Sequence, residues 1–236
     1  MSHPRIAFAV LAAMAAASSA LAQTPAAPAK PPGAPAAPAP PAPKRAGLLW
    51  KEEWRQVGDG SEQAFDMAKA VRNPDLVMTL YGKEAVLRSL GKDGDENNPS
   101  HIFSGECKNA CGVTFKSKSG MADLTGLARI RVNTKMSGFH KLYPMIKLAS
   151  GDWYIGDRNP ESSIRDWIVS DVAIPDVHWT KLDIANLVPK GNPVDKVDLT
   201  KVDEIGFVDL MPASGHGPGG WFDLAQIEVY GKPAAK

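Results

Sequence analysis

The sequence predicts an all-β fold, an antiparallel β-sandwich of the jelly-roll kind, and three observations predict it. Apolar and polar residues alternate with period two in short segments, as in Ala128, Ile130 and Val132 against Arg129, Arg131 and Asn133, or Ala225, Ile227 and Val229 against Gln226, Glu228 and Tyr230. About nine or ten such segments follow one another at short spacing with turn residues between them. Almost no stretch carries a convincing amphipathic helical period, and neither an internal repeat nor a βαβ alternation is present.

The first 22 residues read as a secretory leader, with His3 and Arg5 near the start, an apolar run from Ile6 to Ala17 and Ala20-Leu21-Ala22 as a small-x-small cleavage site. The apolar run is shorter than the roughly 20 residues a bilayer-spanning helix needs, and no later segment approaches that length. Gln23, not Cys, follows the cut, so lipid anchoring is not indicated. The product is expected to be exported, periplasmic or extracellular. Residues 23–46 are almost wholly alanine and proline without an acid, a composition that buries no core and favours extended conformations. This segment is expected to be a disordered linker, either an inert tail or a stalk. Residues 47–236 are the predicted domain, large enough for one sizeable core.

Within the domain, Gly47 to Trp54 reads as the first strand and Gly58-Asp59-Gly60 as a turn. Ser61 to Val71 fits a short helix about as well as a strand. After the turn Asn73-Pro74-Asp75, residues Leu76 to Tyr81 form a strand apolar on both faces, and Lys83 to Leu90 a helical turn ended by Gly91. Lys92 to Ser104 is polar and irregular. Strands follow at Val113 to Lys116, Ala128 to Asn133, Phe139 to Leu148, Asp152 to Ile155, Ile164 to Val172 and Val177 to Ile184, with Ser150-Gly151 as a hairpin signal. Pro189 to Pro193 reads as a loop. Val202 to Leu210 and Trp221 to Tyr230 close the core, joined by a glycine-rich loop. Ile205, Phe207 and Asp209 share a face of the first of these strands if no bulge intervenes, so Asp209 is either bulged out or at a site.

Of the chain's 27 basic residues, Arg5, Lys30, Lys44 and Arg45 precede Gly47 and none of its 26 acids does, so the domain is slightly acidic at net −3. Neither a basic surplus nor a Lys/Arg stripe is present, which argues against nucleic acid as partner. Cys107 and Cys111 are the only cysteines, and in an oxidising compartment they read as a disulfide stapling a short loop. No cofactor is expected. Asp93, Asp95 and Asn97 match the first ligand spacings of a calcium loop, but Asn98 and Ser104 stand where glycine and a bidentate glutamate are required. An EF-hand is excluded and a looser structural Ca²⁺ site stays open. The histidines form no metal-ligand spacing, G-x-S-x-G is absent, and Asp203 and Glu204, adjacent on a strand, point to opposite faces.

The aromatic residues of the second half carry the strongest functional signal. Trp153, Tyr154, Trp167, Trp179 and Trp221 lie at strand ends beside Asp152, Asp157, Arg158, Asp176, His178 and His216. A pyranose offers an apolar face and a rim of hydroxyls, so an aromatic platform flanked by residues that bond two hydroxyls at once suits it. At least three of the five aromatics are expected in the core. The segments Val197-Asp198-Leu199-Thr200-Lys201-Val202-Asp203-Glu204-Ile205-Gly206-Phe207 and Asp223-Leu224-Ala225-Gln226-Ile227-Glu228-Val229-Tyr230-Gly231, with Asp123-Leu124-Thr125-Gly126-Leu127 upstream, resemble the galactose-binding-domain-like jelly rolls that include many secreted carbohydrate-binding modules. The resemblance implies ligands on end loops or a concave sheet face, with a structural Ca²⁺ frequent. The expected function is non-catalytic binding of a glycan or polysaccharide, with Trp153, Trp179 or Trp221 as platform and His140, Asp157, Arg158, Asp209 and His216 as hydrogen-bonding partners. Two alternatives are a secreted carbohydrate-active hydrolase using an Asp/Glu pair and an envelope structural or adhesion protein. Oligomeric state is not legible.

Overall fold

The structure, a computed structural model, describes residues 45–83, 86–105, 109–137, 140–210 and 220–235. The leader, nearly all of the linker, Cys107 and His216 lie outside the described residues. In chain order the strands are β1 (Gly47–Glu53), β2 (Gln63–Ala64), β3 (Leu76–Tyr81), β4 (Arg88–Leu90), β5 (His101–Phe103), β6 (Cys111–Ser117), β7 (Ala122–Asp123) and β8 (Arg129–Met136). There follow β9 (Leu142–Leu148), β10 (Trp153–Gly156), β11 (Ile168–Ala173), β12 (Trp179–Asp183), β13 (Val188–Val194), β14 (Val202–Asp209) and β15 (Phe222–Pro233). One helical turn, α1 (Met67–Ala70), is capped by the Asp66 carboxylate, which accepts from Ala68 N.

The predicted antiparallel β-sandwich is the fold observed. In the first sheet β11 pairs β8, β8 pairs β15, and the far edge of β15 is shared by β1 and by β5, which β4 and β2 extend. The second sheet runs β3-β6-β14-β9-β10-β12-β13. β7 ties the two, since Ala122 pairs with Val202 of β14 and with Pro233 of β15. Every pairing between these strands is antiparallel.

The main core lies between the sheets. The alternation on β8 puts Ile130 and Val132 inside with Ile227 and Val229, against Val113, Phe115, Ile146, Ile205 and Phe207. Trp50 and Trp54 reach Phe115 across the sandwich with ring centroids 5.6 and 5.9 Å apart. The Trp54 indole N–H donates to Leu224 O at 2.6 Å, so its one polar atom is satisfied inside the core.

A second apolar cluster was not expected. Met145, Ile155, Leu182, Leu187, Val208 and Leu210 bury against one another apart from the main core. Val208 and Met145 are neighbours of inward-facing Phe207 and Ile146, so this cluster occupies the outer face of the second sheet. The β12–β13 turn covers it with Leu187, which adopts φ +52°, a left-handed conformation that an L-residue holds only when its surroundings enforce it. β14 is therefore buried on both faces along most of its length.

One alternative left open is settled and four local expectations are corrected. Ser61 to Val71 contains both a two-residue strand and one helical turn. Lys83 to Leu90 holds no helical turn among its described residues and ends in β4, and Lys92 to Ser104 includes β5. Pro189 to Pro193 lies within β13, an edge strand paired only to β12 among the described residues, where a missing N–H on the outer side costs no ladder bond. Finally, a register shift between Val202 and Glu204 sets two residues of β14 opposite one of β9. Strict alternation fails there, and Asp203 and Glu204 both reach Lys147 Nζ, at 3.9 and 2.9 Å.

Candidate ligand-binding site

The part of the second sheet's outer face that the β12–β13 turn leaves open carries an aromatic pair over a charged network. Tyr81, at the end of β3, meets Trp153, at the start of β10, edge to face with centroids 5.0 Å apart. Both rings are half-buried. Lys147 of β9 places its ammonium 5.6 Å from the Trp153 ring centroid. Beneath them Glu204 accepts from Lys147 Nζ at 2.9 Å, Thr114 Oγ1 at 2.7 Å and Tyr81 Oη at 3.0 Å. Strand order explains the convergence: β3, β6, β14, β9 and β10 are consecutive neighbours, each contributing one of these residues.

The electrostatics follow from that geometry. Burial works to raise the Glu204 carboxyl, but the hydrogen bonds from Lys147, Thr114 and Tyr81 outweigh it and hold the group below the usual glutamate range. Glu204 is thus an anion at neutral pH. Burial, and then the bond to this carboxylate, pushes the Tyr81 hydroxyl up to about 12, so it stays a donor. Lys147, with a side chain 29% exposed, keeps N–H donors beyond the one given to Glu204. Next to this face, Gly82, Lys83, Asn109, Ala110, Asn186 and Leu187 line a recess of about 260 Å³.

Of the residues singled out from sequence, only Trp153 lies here. Asp157 and Arg158 directly follow β10. The Asp157 carboxylate accepts from His178 N at 2.9 Å and bonds His178 Nδ1 at 2.8 Å, while Arg158 Nε donates to Asp176 O at 3.1 Å. Burial tends to raise the Asp157 carboxyl, and the two His178 bonds prevail and lower it. Arg158, Asp176 and His178 line an open recess of about 490 Å³ that contains no aromatic wall. Trp179, 4% exposed, belongs to the main core and offers no open face.

His140 and Asp209, 4% and 2% exposed, form a buried pair with Nδ1 2.5 Å from Oδ2. β14 pairs without a bulge from Ile205 to Asp209, so Asp209 points inward as alternation requires, and the imidazole is its partner. Gly220 lies against that imidazole, where a Cβ would fall 1.8 Å from His140 Cδ2. Trp221 is half-buried, edge to face with Phe103 at 6.1 Å. Of the five aromatics weighed, Tyr154 and Trp179 are buried and Trp153, Trp167 and Trp221 half-buried, fewer in the core than expected.

Cys111 is buried at the start of β6. In the calcium-like loop, the Asp93 carboxylate is committed to Arg72 Nη2 and Ser100 Oγ, both at 2.7 Å, and to Gln56 N at 2.9 Å. No group of three His, Cys, Asp or Glu stands close enough to hold a metal among the described residues. Nor, among them, is any helix long and apolar enough to cross a membrane.

Tyr81, Thr114, Lys147 and Glu204 were missed from sequence. The available signal was a charged residue in each of two strongly apolar runs, Glu204 beside Ile205-Gly206-Phe207-Val208 and Lys147 beside Met145-Ile146. Only the order of strands shows that the two meet.

No protein-family model matches the chain, and no curated protein matches it in sequence. Among solved structures the fold is similar to the family 11 carbohydrate-binding module of the cellulosomal cellulase Lic26A-Cel5E of Clostridium thermocellum, at 14% identity over 75% of this chain and 99% of that one, with a TM-score of 0.45. It is also similar to the family 11 module from the same organism in complex with a β-1,3-1,4-mixed-linked tetrasaccharide, at 14% identity over 75% and 100%, with a TM-score of 0.43. An exo-β-agarase structure matches at 11% identity over 73% of this chain and 26% of that one, with a TM-score of 0.39.

Proposed function

We propose that this is an exported, non-catalytic carbohydrate-binding protein whose domain takes a glycan on the open outer face of the second sheet. The observation that carries the reading is the half-buried Trp153 set between Tyr81 and Lys147 above an ionised Glu204. A pyranose stacks its apolar face on the indole, and its hydroxyls accept from Lys147 and meet the polar rim. Because Glu204 and Thr114 already hold Tyr81 and Lys147 in place, little side-chain freedom remains to be lost on binding. Binding is favoured over hydrolysis. A glycosidase needs a protonated carboxyl to donate to the leaving oxygen, and the acid at the centre of this face is held in its ionised form.

The test is a glycan array with the purified protein, repeated for Trp153→Ala and Trp221→Ala. A bound glycan whose affinity falls at least about tenfold in Trp153→Ala and is unchanged in Trp221→Ala supports the reading. Loss in Trp221→Ala alone moves the site to the loop end of β15. Absence of any bound glycan sinks the proposal.

A further inference from the structure

The outer face of the first sheet is overhung by the 92–100 loop, and that loop is fixed from both ends. Asp93 binds Arg72, Ser100 and Gln56 as described, and Arg72 also donates to Glu53 O and Trp54 O, both at 3.1 Å. The Asp95 carboxylate accepts from Asn97 N at 2.9 Å and Asn98 N at 3.2 Å. From the other side Trp167 donates its indole N–H to Asn97 O at 3.2 Å. Between loop and sheet lies a recess of about 370 Å³ lined by Glu53, Arg72, Lys92, Ser100, Asn133 and Gln226, with the buried Trp54 also in its wall. That volume is within the range of about 300–1,000 Å³ usual for small-molecule sites.

Asn133 Oδ1 is buried in this lining with no hydrogen-bond partner among the described residues. It is an acceptor. Buried polar atoms are paired in native proteins nearly without exception, so an orphan in a recess calls for an occupant with a donor to offer. The walls restrict the class of that occupant further. Lys92 and Arg72 face the same space as Glu53, so a cation or an anion meets like charge on one wall. A neutral hydroxyl both donates and accepts, and suits both walls.

We infer that this recess is a second binding site, for a small neutral polyhydroxyl ligand such as a single sugar residue or polyol. It stands independently of the Trp153 face and lies on the opposite sheet, so a chain holding ligands at both is bivalent.

The experiment is a ¹H–¹⁵N NMR titration of the full chain with glucose, galactose and glycerol in turn, with ammonium chloride in parallel. Saturable shifts at the amides of Gly94, Ser100, Asn133 and Gln226 are expected with at least one of the three polyols. They persist in Trp153→Ala, which separates this site from the proposed glycan face. In Asn133→Ala the apparent affinity falls about tenfold or more, and if that variant loses its native melt, Gln226→Ala is expected to show the same loss. The inference is overturned if no polyol saturates these amides, if ammonium chloride reproduces the shifts, if Trp153→Ala abolishes them, or if the folded lining variants bind like wild type.

Discussion

Buried charges are where single residues decide most about this molecule. Asp209 was legible as anomalous because it continues the inward face of Ile205 and Phe207, but its resolution is a histidine 69 positions away in sequence. Asp223 is a sharper case: 7% exposed, with one oxygen unpartnered and His101 Nε2 3.7 Å away, its carboxyl is pushed up to about 7 by burial, against the smaller opposing effect of Lys135. A carboxyl raised in the folded state binds a proton there that the unfolded chain has already released, so its contribution to stability is present at low pH and lost as pH rises from about 4 to about 7. Asp223→Asn, which stays neutral, should therefore gain on wild type across that window, by up to about 4 kcal/mol. Urea unfolding of both proteins at pH 4, 6 and 8 checks this; a constant difference between them would mean the carboxyl does not titrate on folding. His101, under the Trp167 ring edge at 5.0 Å, is held below its ordinary range by burial and favours its neutral form beside the acid.

Strands were the most legible elements and their edges the least. β3 has the predicted bounds, and β1, β8, β10 and β14 were foreseen to within a few residues, because each writes its burial in a period of two or in an unbroken apolar run. β13 was missed because two prolines in seven residues argue against an interior strand, and the sequence cannot say that a segment is at an edge. Proline on an edge strand is a device against pairing with another chain, and these two are expected to serve it. Pro189→Val combined with Pro193→Val is expected to leave the melting temperature nearly unchanged and to promote self-association, read by light scattering after gel filtration; a monomer at all concentrations would show that the edge is guarded by something else. On β14, a Cβ at Gly206 would fall 1.9 Å from Val113 O, in the neighbouring β6. Gly206→Ala should cost about 3 kcal/mol in chemical denaturation, since the strands must part to admit the methyl; wild-type stability would contradict so close an approach.

At the largest scale, the described residues from 45 to 235 form a two-sheet body in which the candidate glycan face and the second recess lie on opposite outer surfaces. The linker composition predicts that a fragment of residues 47–236 melts at the temperature of the full chain, and a marked drop would show that the alanine- and proline-rich segment contributes to the fold. The cysteine spacing predicts that reduction of the exported protein lowers the melting temperature without preventing folding, because so short a loop restricts the unfolded chain only slightly; unpaired thiols in the oxidised protein would refute the staple. Local pattern alone determined the all-β class, the antiparallel layering and most strand positions, since period-two alternation and turn chemistry act between residues close in sequence. Tertiary structure alone decided which of five aromatics face outward, that the β12–β13 turn buries part of the second sheet's outer face, and that Tyr81, Thr114, Lys147, Trp153 and Glu204 form one surface. The physical reason is that strand order and a single bulge bring together side chains up to 123 residues apart, and no local period encodes which strand will lie beside which.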